Sequence, residues 1–470
     1  MFLGDGMSIA TVTAARIYAG QLKGAPGEEN NLAFDNFPHT GLSKTYCVDA
    51  QVADSACSST AYLSGVKGSI GTIGVTGEVA RKQCDKVNDQ TSATSILYWA
   101  QKAGKSTGIV TTTRVTHASP AGTYAHTADR DWESDSDVAA DNLDPSRCQD
   151  IASQLVNNSP GKDINVILGG GWREFLPVNA SEEASGRRGD NEDLIKKWAL
   201  DKEARGARYA FVNDRQSLSN LDTQNTDFLL GLFGPSHMEY HLGADEEEQP
   251  TLEEMTRTAI NILSRNPKGF FLFVEGGRID HGHHETLARR ALDETVEFSK
   301  AVRTADDMTD DGDTLMVTTA DHAHTMSFSG YPARGNDILS VAGVSDVDNI
   351  PYATLSYANG PGYRKPDAGV RYNVLTDDMN FAEDIKYHFP SGLPTAIETH
   401  GGEDVSVYSK GPWAHLLTGV MEQSFIPVAM MYASCLGPHT TMCTPRRDNA
   451  PYHLHQVRQD SLLKEATPLR

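Results

Sequence analysis

Four short apolar runs in this sequence are each followed by side chains that can bind a metal ion. The runs are residues 2–4, 271–274, 316–320 and a stretch that ends near residue 115. The residues that follow them are Asp5, Glu275, Asp321 with His322, and His117 with Ser119. In open α/β sheets, ligands bind outside the carboxyl ends of the strands. If the runs are neighbouring strands, these side chains are expected to share one site.

A second group of candidate ligands lies between Asp280 and His284, where three of four consecutive residues are histidines. Asp280 and His284 are four residues apart, so on a helix they face the same side and can bind the same ion. A solvated, histidine-rich turn is the competing interpretation of this segment alone. The further histidines at 322 and 324, beside Asp321, favour metal binding. Carboxylate plus imidazole ligands suit zinc, whereas an all-oxygen set suits magnesium.

Ser55 is the candidate nucleophile, because the small residues that follow it at 56–61 are compatible with a helix start. Small side chains would allow the amide groups of that helix start to approach an anion closely. The pattern alone is weak, since helix starts of this kind are common and are structural in most proteins. Cys57 is a rival nucleophile, although an inert buried thiol is the more usual role of such a cysteine.

The composition describes an acidic globular chain of 470 residues, with 41 Lys and Arg against 63 Asp and Glu and a formal net charge of −22. Hydrophobic residues make up 39% of the chain, enough for a large core. The acidic balance argues against nucleic acid as a partner, since a phosphate backbone requires a basic surface. No apolar run approaches the roughly 20 residues of a membrane span. An anionic substrate would require a local positive centre, and bound metal ions are the strongest ones available.

Short β-rich apolar runs alternate with amphipathic helical patterns along the chain, which predicts an α/β fold. We expect a largely parallel central β-sheet that is flanked by helices on both faces. The predicted strands are residues 106–115, 164–168, 270–274 and 314–319, and the predicted helices are residues 92–103, 252–264 and 285–305. Thr251 and Glu254 form a capping box at the start of one of these helices.

Two segments depart from this pattern. Residues 180–205 are charged and contain glycine, which predicts a solvated surface excursion. Residues 330–397 are rich in Gly, Pro, Tyr and Asp and have little periodicity. This composition predicts a loop-rich, crown-like insertion rather than a continuation of the sheet.

The cysteines do not decide the cellular compartment. The six cysteines are Cys47, Cys57, Cys84, Cys148, Cys435 and Cys443. None of them forms a CxxC pair, so a structural zinc knuckle is not expected. Cys435 and Cys443 would close a short loop that contains a Gly-Pro pair, which is plausible for a disulfide. The Asn-x-Ser sequons at residues 157 and 179 are compatible with a secreted glycoprotein but arise easily by chance.

Taken together, six motifs resemble the signature segments of animal alkaline phosphatases. They are residues 4–7 (GDGM), 54–56 (DSA), 117–126 (HASPAGTYAH), 275–284 (EGGRIDHGHH), 319–322 (TADH) and 399–405 (THGGEDV). The motifs follow the family's order, and the similarity extends from residue 1 to about residue 443. The resemblance implies one alkaline phosphatase domain over residues 1–443 that includes the crown-like insertion. Residues 444–470 match nothing recognised, and we expect this tail to be poorly ordered.

The resemblance implies two Zn²⁺ ions and one Mg²⁺ ion per subunit. The implied ligands are Asp280, His284 and His400 for the first zinc, Asp5, Asp321 and His322 for the second, and Asp5, Ser119 and Glu275 for magnesium. The histidines expected beside these ligands, orienting rather than binding, are His117, His281 and His324. His400 alone could be a surface histidine in an acidic turn, but its place in the motif at 399–405 favours a ligand.

The implied activity is hydrolysis of phosphate monoesters at alkaline pH, with release of an alcohol and inorganic phosphate. Ser55 would attack phosphorus and form a phosphoserine intermediate, because a metal ion lowers the pKa of a serine hydroxyl. Arg130 would hold two phosphate oxygens in the bidentate geometry that suits a guanidinium group. A related phosphodiesterase or sulfatase is an alternative, as is a surface binding or receptor protein that has kept the fold with weak catalysis.

A further calcium site, which vertebrate members of the family carry, is not expected to bind tightly in this chain. By alignment of the motifs, Gly234, Gln249 and Lys197 stand where that site has carboxylates. Calcium takes about six to eight oxygen ligands, most of them anionic. The acidic run at residues 245–248 could offer substitutes, but four adjacent acids in a turn more often form a solvated face.

The resemblance also implies a pairing of the cysteines. It predicts disulfides between Cys84 and Cys148 and between Cys435 and Cys443. Cys47 and Cys57 are then expected to remain thiols.

Assembly and location follow from the same resemblance. It implies a homodimer in which Tyr331 reaches the neighbouring active site. Members of the family are secreted or bound to the cell surface, so an extracellular or cell-surface location is expected. Neither a signal peptide nor the apolar segment of a GPI anchor signal is recognised within the 470 residues.

Overall fold

The computed structural model describes residues 1–179, 185–375 and 381–438, and this part of the chain contains both long and very short strands. The strands are β1 (Phe2–Gly4), β2 (His39–Lys44), β3 (Ser106–Arg114), β4 (Val166–Gly170), β5 (Tyr209–Val212), β6 (Phe228–Leu232), β7 (Phe270–Gly276), β8 (Met316–Ala320), β9 (Ala323–His324), β10 (Met326–Phe328), β11 (Val341–Val344), β12 (Pro351–Ala353), β13 (Leu355–Gly360), β14 (Ser391–Pro394), β15 (His400–Gly401), β16 (Val405–Lys410) and β17 (Gly419–Glu422).

The helices lie between these strands. They are α1 (Ile9–Gln21), α2 (Ser55–Ser64), α3 (Ile96–Lys102), α4 (Ala118–Ala121), α5 (Asp135–Ala140), α6 (Ile151–Asn157), α7 (Leu194–Ala204), α8 (Arg215–Ser219), α9 (Leu252–Leu263), α10 (Arg278–His284), α11 (Ala288–Met308) and α12 (Phe425–Ser434). The predicted helices correspond to α3, α9 and α11. The capping box at α9 is confirmed: Thr251 Oγ1 accepts from the Glu254 amide at 3.2 Å, and the Thr251 amide donates to Glu254 Oε2 at 2.9 Å.

A ten-stranded sheet forms the centre of the fold, in the order β17-β2-β16-β8-β1-β7-β3-β4-β6-β5. Every neighbouring pair is parallel except the two pairs made by β16, which runs antiparallel to both β2 and β8. The prediction of a largely parallel sheet is therefore confirmed. Its inner strands are buried along almost their whole length, as the continuous apolar and threonine-rich pattern of β3 indicates.

Two hydrophobic cores lie on opposite faces of this sheet, because successive strand residues point to opposite sides. In β1, Phe2 belongs to one core and Leu3 to the other, and Val110 and Ile109 of β3 divide in the same way. The first core includes residues of α1, α9 and α11, and the second includes residues of α2, α3, α6 and α12. The expected cover of helices on both faces is confirmed.

Four strands that carry candidate ligands are consecutive in the sheet: β8, β1, β7 and β3. All four are parallel to one another, so their carboxyl ends meet at one edge. Gly4 at the end of β1 is in register with Gly276 of β7 and with Ala320 of β8. This register places the residues that follow the three strands side by side.

The segment 330–397, where a loop-rich insertion is predicted, contributes no strand to the central sheet in its described part. Its strands β13 and β14 form a three-stranded sheet with β10, which precedes the segment, and its strands β11 and β12 pair with each other. A further pair, β9 with β15, joins the two ends of the insertion. Residues 376–380 of the insertion and the tail at 444–470 lie outside the described residues. Among the described helices, none has the length and apolar character that a membrane span would need.

The prediction of a solvated excursion at residues 180–205 is wrong for its second half. Residues 194–204 form α7, whose Trp198 is only 1% exposed. Arg188 is also buried, and its guanidinium group donates to Asp150 at 2.9 and 3.1 Å. Leu194, Trp198 and Lys202 are buried at a spacing of four residues, which places them on one face of this helix. The charged residues between them make this pattern hard to recognise in the sequence. Residues 180–184 lie outside the described part of the chain.

The cysteine predictions are partly wrong. The predicted Cys84–Cys148 disulfide is present, but Cys47 and Cys57 form a second disulfide instead of remaining thiols. The chain between β2 and α2 reverses its direction, so Cys47 lies beside the first turn of α2. No local sequence pattern predicts this reversal. Cys435 is disulfide-bonded, and Cys443 lies outside the described residues, so that pairing stays a prediction.

Close packing of α2 against α4 brings Ser55 and Ser119 to the same region. Gly122 directly follows α4 and has an ordinary helical backbone, with φ −57°. A Cβ atom at this position would lie 2.5 Å from Ser59 Oγ and 2.6 Å from Ser59 Cβ on α2. Glycine is therefore needed here because the two helices approach each other closely, and not because the backbone angle is unusual.

We expect Gly122→Ala to lower the free energy of unfolding by about 1–3 kcal/mol, because the added methyl group overpacks the contact with Ser59. Urea denaturation measures this change. The matched control is Gly243→Ala, where a Cβ atom meets nothing within 4 Å. The control is expected to stay within about 0.5 kcal/mol of the parent. Equal midpoints for the two variants would contradict the packing argument.

Candidate functional site

The carboxyl edge of the central sheet gathers three buried carboxylates. Asp5 directly follows β1, Glu275 is the penultimate residue of β7, and Asp321 directly follows β8. All three are 0% exposed. One Asp321 oxygen is fixed at the edge, since the Gly6 amide donates to Asp321 Oδ1 at 2.9 Å. The residues at the ends of these three strands therefore lie together at one edge of the sheet.

Ser55 lies at the N-terminus of α2, next to this carboxylate group. Asp54 is the N-cap of α2 and accepts from the Cys57 amide at 3.1 Å, which starts the helix at Ser55. The Ser55 hydroxyl lies 3.1 Å from His322 Nε2 and 3.3 Å from Asp5 Oδ1. A buried hydroxyl is thus held against both a carboxylate and an imidazole.

A second cluster is formed by Asp280 and His284 of α10 together with His400 of β15. His284 Nδ1 faces the Glu398 carbonyl at 2.5 Å, and His400 Nδ1 faces the Ala53 carbonyl at 2.7 Å. A carbonyl only accepts, so each Nδ1 carries the proton and each Nε2 presents a lone pair. The two Nε2 atoms are 3.1 Å apart and each lies 3.4 Å from an oxygen of Asp280. Three donor atoms therefore converge on one point.

His324 supports this second cluster from behind. It lies between two carboxylates, with Nε2 2.7 Å from Asp280 Oδ1 and Nδ1 2.5 Å from Glu398 Oε2. Although burial opposes a charge on this ring, the two carboxylates raise the pKa of His324 to about 10. Glu398 is itself fixed, because its Oε1 accepts from both the amide and the hydroxyl of Thr325. The His324 ring holds Asp280 in place.

The third group of donors contains only oxygen. The oxygens without a hydrogen-bond partner among the described residues include Asp5 Oδ2, Ser119 Oγ and Glu275 Oε1, and all of them are buried. The other Glu275 oxygen accepts from the hydroxyls of Thr111 and Thr113, which orients the carboxylate. Buried polar atoms without partners are costly, so this group is suited to a bound cation.

The charges of the site explain why a cation is needed. Burial raises the pKa of Asp5 well above its usual value, and the neighbouring carboxylates raise it further. Burial likewise raises the pKa of Glu275 to about 7, against the opposing effect of the Thr111 hydrogen bond. Burial also raises the pKa of Asp321. The carboxylates repel one another at this edge, and positive ions between them would remove that repulsion.

Arg130 lies beside the nucleophile candidate. Its Nη1 donates to Asp54 Oδ2 at 3.0 Å, and its Nη2 lies 3.1 Å from His117 Nε2. Burial would raise the pKa of Asp54, but the charge of Arg130 and the amides of Cys57 and Gly71 hold it below its usual range. Asp54 therefore keeps its charge and fixes the guanidinium group next to Ser55.

His117 and His281 are placed away from the second cluster. Their ring centroids are 5.6 Å apart, and a third ring, that of His237, lies 4.3 Å from His281. His281 Nδ1 is 3.0 Å from Arg278 Nη1. The two predicted orienting residues thus stand at the arginine side of the site, whereas His324 stands behind Asp280.

Several residues that shape the site were not found from the sequence. They are Thr111, Thr113, His237 and Glu398. Glu398 carried one usable signal, since it stands two residues before His400 in an otherwise recognised motif. The threonines lie within a predicted strand, where their hydroxyls look like ordinary sheet residues. His237 stands in a loop, and only the folded chain brings it to His281.

The residues present fit bound metal ions. One cluster gathers carboxylate and imidazole donors from Asp280, His284, His324 and His400, and another places His117 beside the carboxylates of Asp5 and Glu275. Asp5 also lies 3.6 Å from His322 Nε2. A serine hydroxyl and a fixed arginine stand beside them. This combination on the carboxyl edge of a parallel sheet is typical of metal-dependent enzymes that act on phosphate esters.

The family is shown by comparison with known proteins. The alkaline phosphatase family model matches residues 1–436, and the chain belongs to this family. It is 49% identical over 446 residues to the membrane-bound alkaline phosphatase of Bombyx mori, covering 94% of this chain and 81% of that protein. It is 50% identical over 453 residues to the human tissue-nonspecific isozyme, covering 95% and 85%. The chain accordingly catalyses hydrolysis of phosphate monoesters and depends on metal ions.

Solved structures agree in fold. The alkaline phosphatase of the Antarctic bacterium TAB5 aligns with a TM-score of 0.63 and 20% identity, covering 93% of this chain and 97% of that one. The Thermus thermophilus enzyme aligns with a TM-score of 0.64 and 22% identity, covering 92% and 90%. The likeness confirms the α/β architecture.

Removing the metal ions is expected to lower the free energy of unfolding, because the buried carboxylates then face one another without a cation. An ion present at about 1,000 times its dissociation constant contributes about 4 kcal/mol. Calorimetry before and after EDTA treatment measures the change, with EDTA saturated by zinc beforehand as the control. An unchanged melting temperature in protein shown to be free of metal would contradict this expectation.

Proposed function

We propose that Ser55 is the nucleophile with which this chain hydrolyses phosphate monoesters. The observation that carries the proposal is the position of the Ser55 hydroxyl, 3.1 Å from His322 Nε2 and 3.3 Å from Asp5 Oδ1 at the start of α2. A hydroxyl needs a nearby proton acceptor or a metal ion to become a strong nucleophile. A proton acceptor and a metal ion can both lie beside Ser55.

The reaction proceeds in two displacements. In the first, Ser55 Oγ gives up its proton and forms a bond to phosphorus while the bond to the ester oxygen breaks, and that oxygen takes up a proton and leaves as the alcohol. The product is a phosphoserine at residue 55. In the second, the oxygen of a water molecule gives up a proton and attacks the same phosphorus, the serine oxygen leaves and takes up a proton, and inorganic phosphate is released. Each step exchanges one oxygen substituent for another, and no electron transfer is required.

Arg130 binds the phosphate group in this proposal. Asp54, the N-cap of the helix that begins at Ser55, anchors the guanidinium group through Nη1, and Nη2 lies 3.1 Å from His117 Nε2. A guanidinium group can donate two parallel hydrogen bonds to phosphate oxygens, which a lysine cannot do. Since the whole chain carries a net charge of −22, local positive charge at this point is needed to attract an anion.

Two Zn²⁺ ions and one Mg²⁺ ion complete the proposed site. The residues proposed to hold them are Asp280, His284 and His400; Asp5, Asp321 and His322; and Asp5, Ser119 and Glu275, respectively. The mixed clusters suit zinc and the all-oxygen group suits magnesium. When bound, the ions supply positive charge that lowers the pKa of the serine hydroxyl and stabilises the leaving oxygen. A mutant of the TAB5 enzyme is described with Mg bound in its M3 site.

We propose no tight calcium site. The three residues that stand where carboxylates are expected have other bonds. Gln249 exchanges two hydrogen bonds with the backbone of Glu239, at 2.8 and 3.1 Å. Lys197 pairs with Glu192 at 2.7 Å. The Gly234 carbonyl accepts from the amides of residues 171 and 172. Neutral and cationic groups at these positions remove the negative charge that calcium requires.

The proposed assembly is a homodimer in which Tyr331 reaches the partner's active site. What supports it is the full exposure of Tyr331 at a groove of about 580 Å³, which Phe328 and Ile338 also line. A large aromatic side chain gains free energy when a partner covers it. An extracellular or cell-surface location is proposed as well, because two disulfides in the described residues require an oxidising compartment.

Ser55→Ala is expected to lower kcat by at least about 10³-fold and to abolish phosphoenzyme formation, because among the described residues Ser55 alone has its hydroxyl against both Asp5 Oδ1 and His322 Nε2. Acid quenching with ³²P-labelled substrate, followed by peptide mapping, checks the intermediate, and metal content should be unchanged. Ser58→Ala, one turn further along α2, is the control and should label normally. A phosphorylated residue other than Ser55 in the parent protein would overturn the proposal.

Metal analysis of dialysed protein is expected to give two zinc and one magnesium per chain and no stoichiometric calcium. The donor sets give the physical reason: mixed nitrogen and oxygen ligands in two groups, and oxygens alone in the third. Plasma mass spectrometry measures the content. p-Nitrophenyl phosphate turnover that persists after complete metal removal, or one bound calcium per chain, would count against this assignment.

Sedimentation is expected to give twice the chain mass of 51.0 kDa. Tyr331→Ala should weaken the dimer or raise KM, because the exposed ring would no longer fill the partner's surface. Tyr209→Ala, which changes a partly exposed tyrosine on β5, is the control and should leave both quantities unchanged. A fully active monomer would refute the proposed assembly.

A further inference from the structure

The Cys47–Cys57 disulfide closes a short loop that contains Ser55. Cys57 is the third residue of α2, and Cys47 lies ten residues earlier, with the two Cα atoms 5.9 Å apart. Residues 45–54 form neither helix nor strand. The segment from Cys47 to Cys57, called the disulfide loop below, is therefore held by the cross-link and by individual contacts rather than by regular secondary structure.

Three consecutive residues of the disulfide loop contact the active site. The Ala53 carbonyl accepts from His400 Nδ1 at 2.7 Å and so sets which nitrogen of that ring faces Asp280. Asp54 accepts from Arg130 Nη1 at 3.0 Å. Ser55 follows directly. A displacement of this loop would move the support of His400, the anchor of Arg130 and the nucleophile together.

Little besides the disulfide buries apolar area under this loop. Cys47 and Cys57 are each 2% exposed, and they form a small core of their own with Ala53 and the partly buried Ala50. Because apolar stabilisation scales with buried area, two alanine side chains contribute little on their own. The other anchors to the surrounding fold are hydrogen bonds: from the Val48 amide to the Gly68 carbonyl at 3.0 Å, from the Ile70 amide to Asp49 Oδ1 at 2.8 Å and from the Gly71 amide to Asp54 at 3.1 Å.

We propose that Cys47 and Cys57 are positioning residues for the reaction. Their disulfide fixes Ala53, Asp54 and Ser55 in the arrangement that His400 and Arg130 require. The inference rests on the roles proposed above for Ser55, Arg130 and His400. A cross-link that restricts a ten-residue segment limits the positions that the nucleophile can sample, and correct positioning is a large part of catalysis.

The test compares two double variants. Cys47→Ala/Cys57→Ala is expected to lower kcat/KM for p-nitrophenyl phosphate by about 10- to 100-fold, since a displacement of about 1 Å has effects of this size. The Ki of inorganic phosphate should rise as well, because Asp54 and Arg130 move with the loop. The matched control is Cys84→Ala/Cys148→Ala, which removes the other described disulfide and should leave kcat/KM and Ki unchanged.

Circular dichroism and the melting temperature show whether each variant is folded. A purely structural role would lower the melting temperature and leave the phosphate Ki of the folded variant at the parent value. Parent values of kcat/KM and Ki in folded Cys47→Ala/Cys57→Ala would therefore overturn the proposal.

The parent protein provides a second measurement that does not depend on a variant folding. Partial reduction followed by alkylation opens the disulfides to different extents, and mass spectrometry gives the open fraction of each. Activity that falls in proportion to the open Cys47–Cys57 fraction supports the proposal. Activity that is retained in molecules with this disulfide open, or that follows only Cys84–Cys148, overturns it.

Mapping of the phosphorylated peptide separates this inference from the proposed function. If the label is on a residue other than Ser55, the proposed nucleophile is wrong. The proposed positioning role of the Cys47–Cys57 disulfide is then wrong as well. If the label is on Ser55 and the double variant turns over at the parent rate, only the positioning role is wrong.

Discussion

Mutual repulsion of buried carboxylates is the constraint on which the rest of this structure depends. Asp5, Glu275 and Asp321 are fully buried at the ends of β1, β7 and β8, which are neighbours in the sheet. Three negative charges in this position are unfavourable in a folded protein unless cations lie between them. The free energy of folding, the affinity for metal ions and the attraction for an anionic substrate are therefore coupled at a single edge of the sheet.

Contacts outside the set of candidate ligands determine how this charge is arranged. The carbonyls of Glu398 and Ala53 decide which nitrogen of His284 and His400 faces Asp280. The hydroxyls of Thr111 and Thr113 occupy one Glu275 oxygen and leave the other free. These partners come from three different parts of the chain. The site is thus a property of the whole sheet edge, because His284, His400 and Glu275 each take this support from another segment of the chain.

The sequence allowed the central features of the fold and the site to be predicted because they depend on local patterns. Strands such as β3 are continuous apolar and threonine runs, and the family motifs carry Asp5, Ser55 and Asp280 at recognisable spacings. The failures depend on contacts between distant segments. The reversal that joins Cys47 to Cys57 leaves no local signal, and the four-residue period of α7 is obscured by the charged residues around it. The role of Glu398 as a support of His324 becomes clear only from the contact between the two side chains.

The β9–β15 pair has a consequence for how proteins with this architecture can change over time. His324 of β9 is paired with His400 of β15, so the chain segment between them begins and ends at this pair of strands. The entropy of closing a loop grows only slowly with its length. Apart from Thr325 and Glu398 at its two ends, material in this interval can therefore be gained, lost or replaced while both imidazoles stay in register. The outward surface is free to diversify under selection, and the chemistry beneath it stays unchanged.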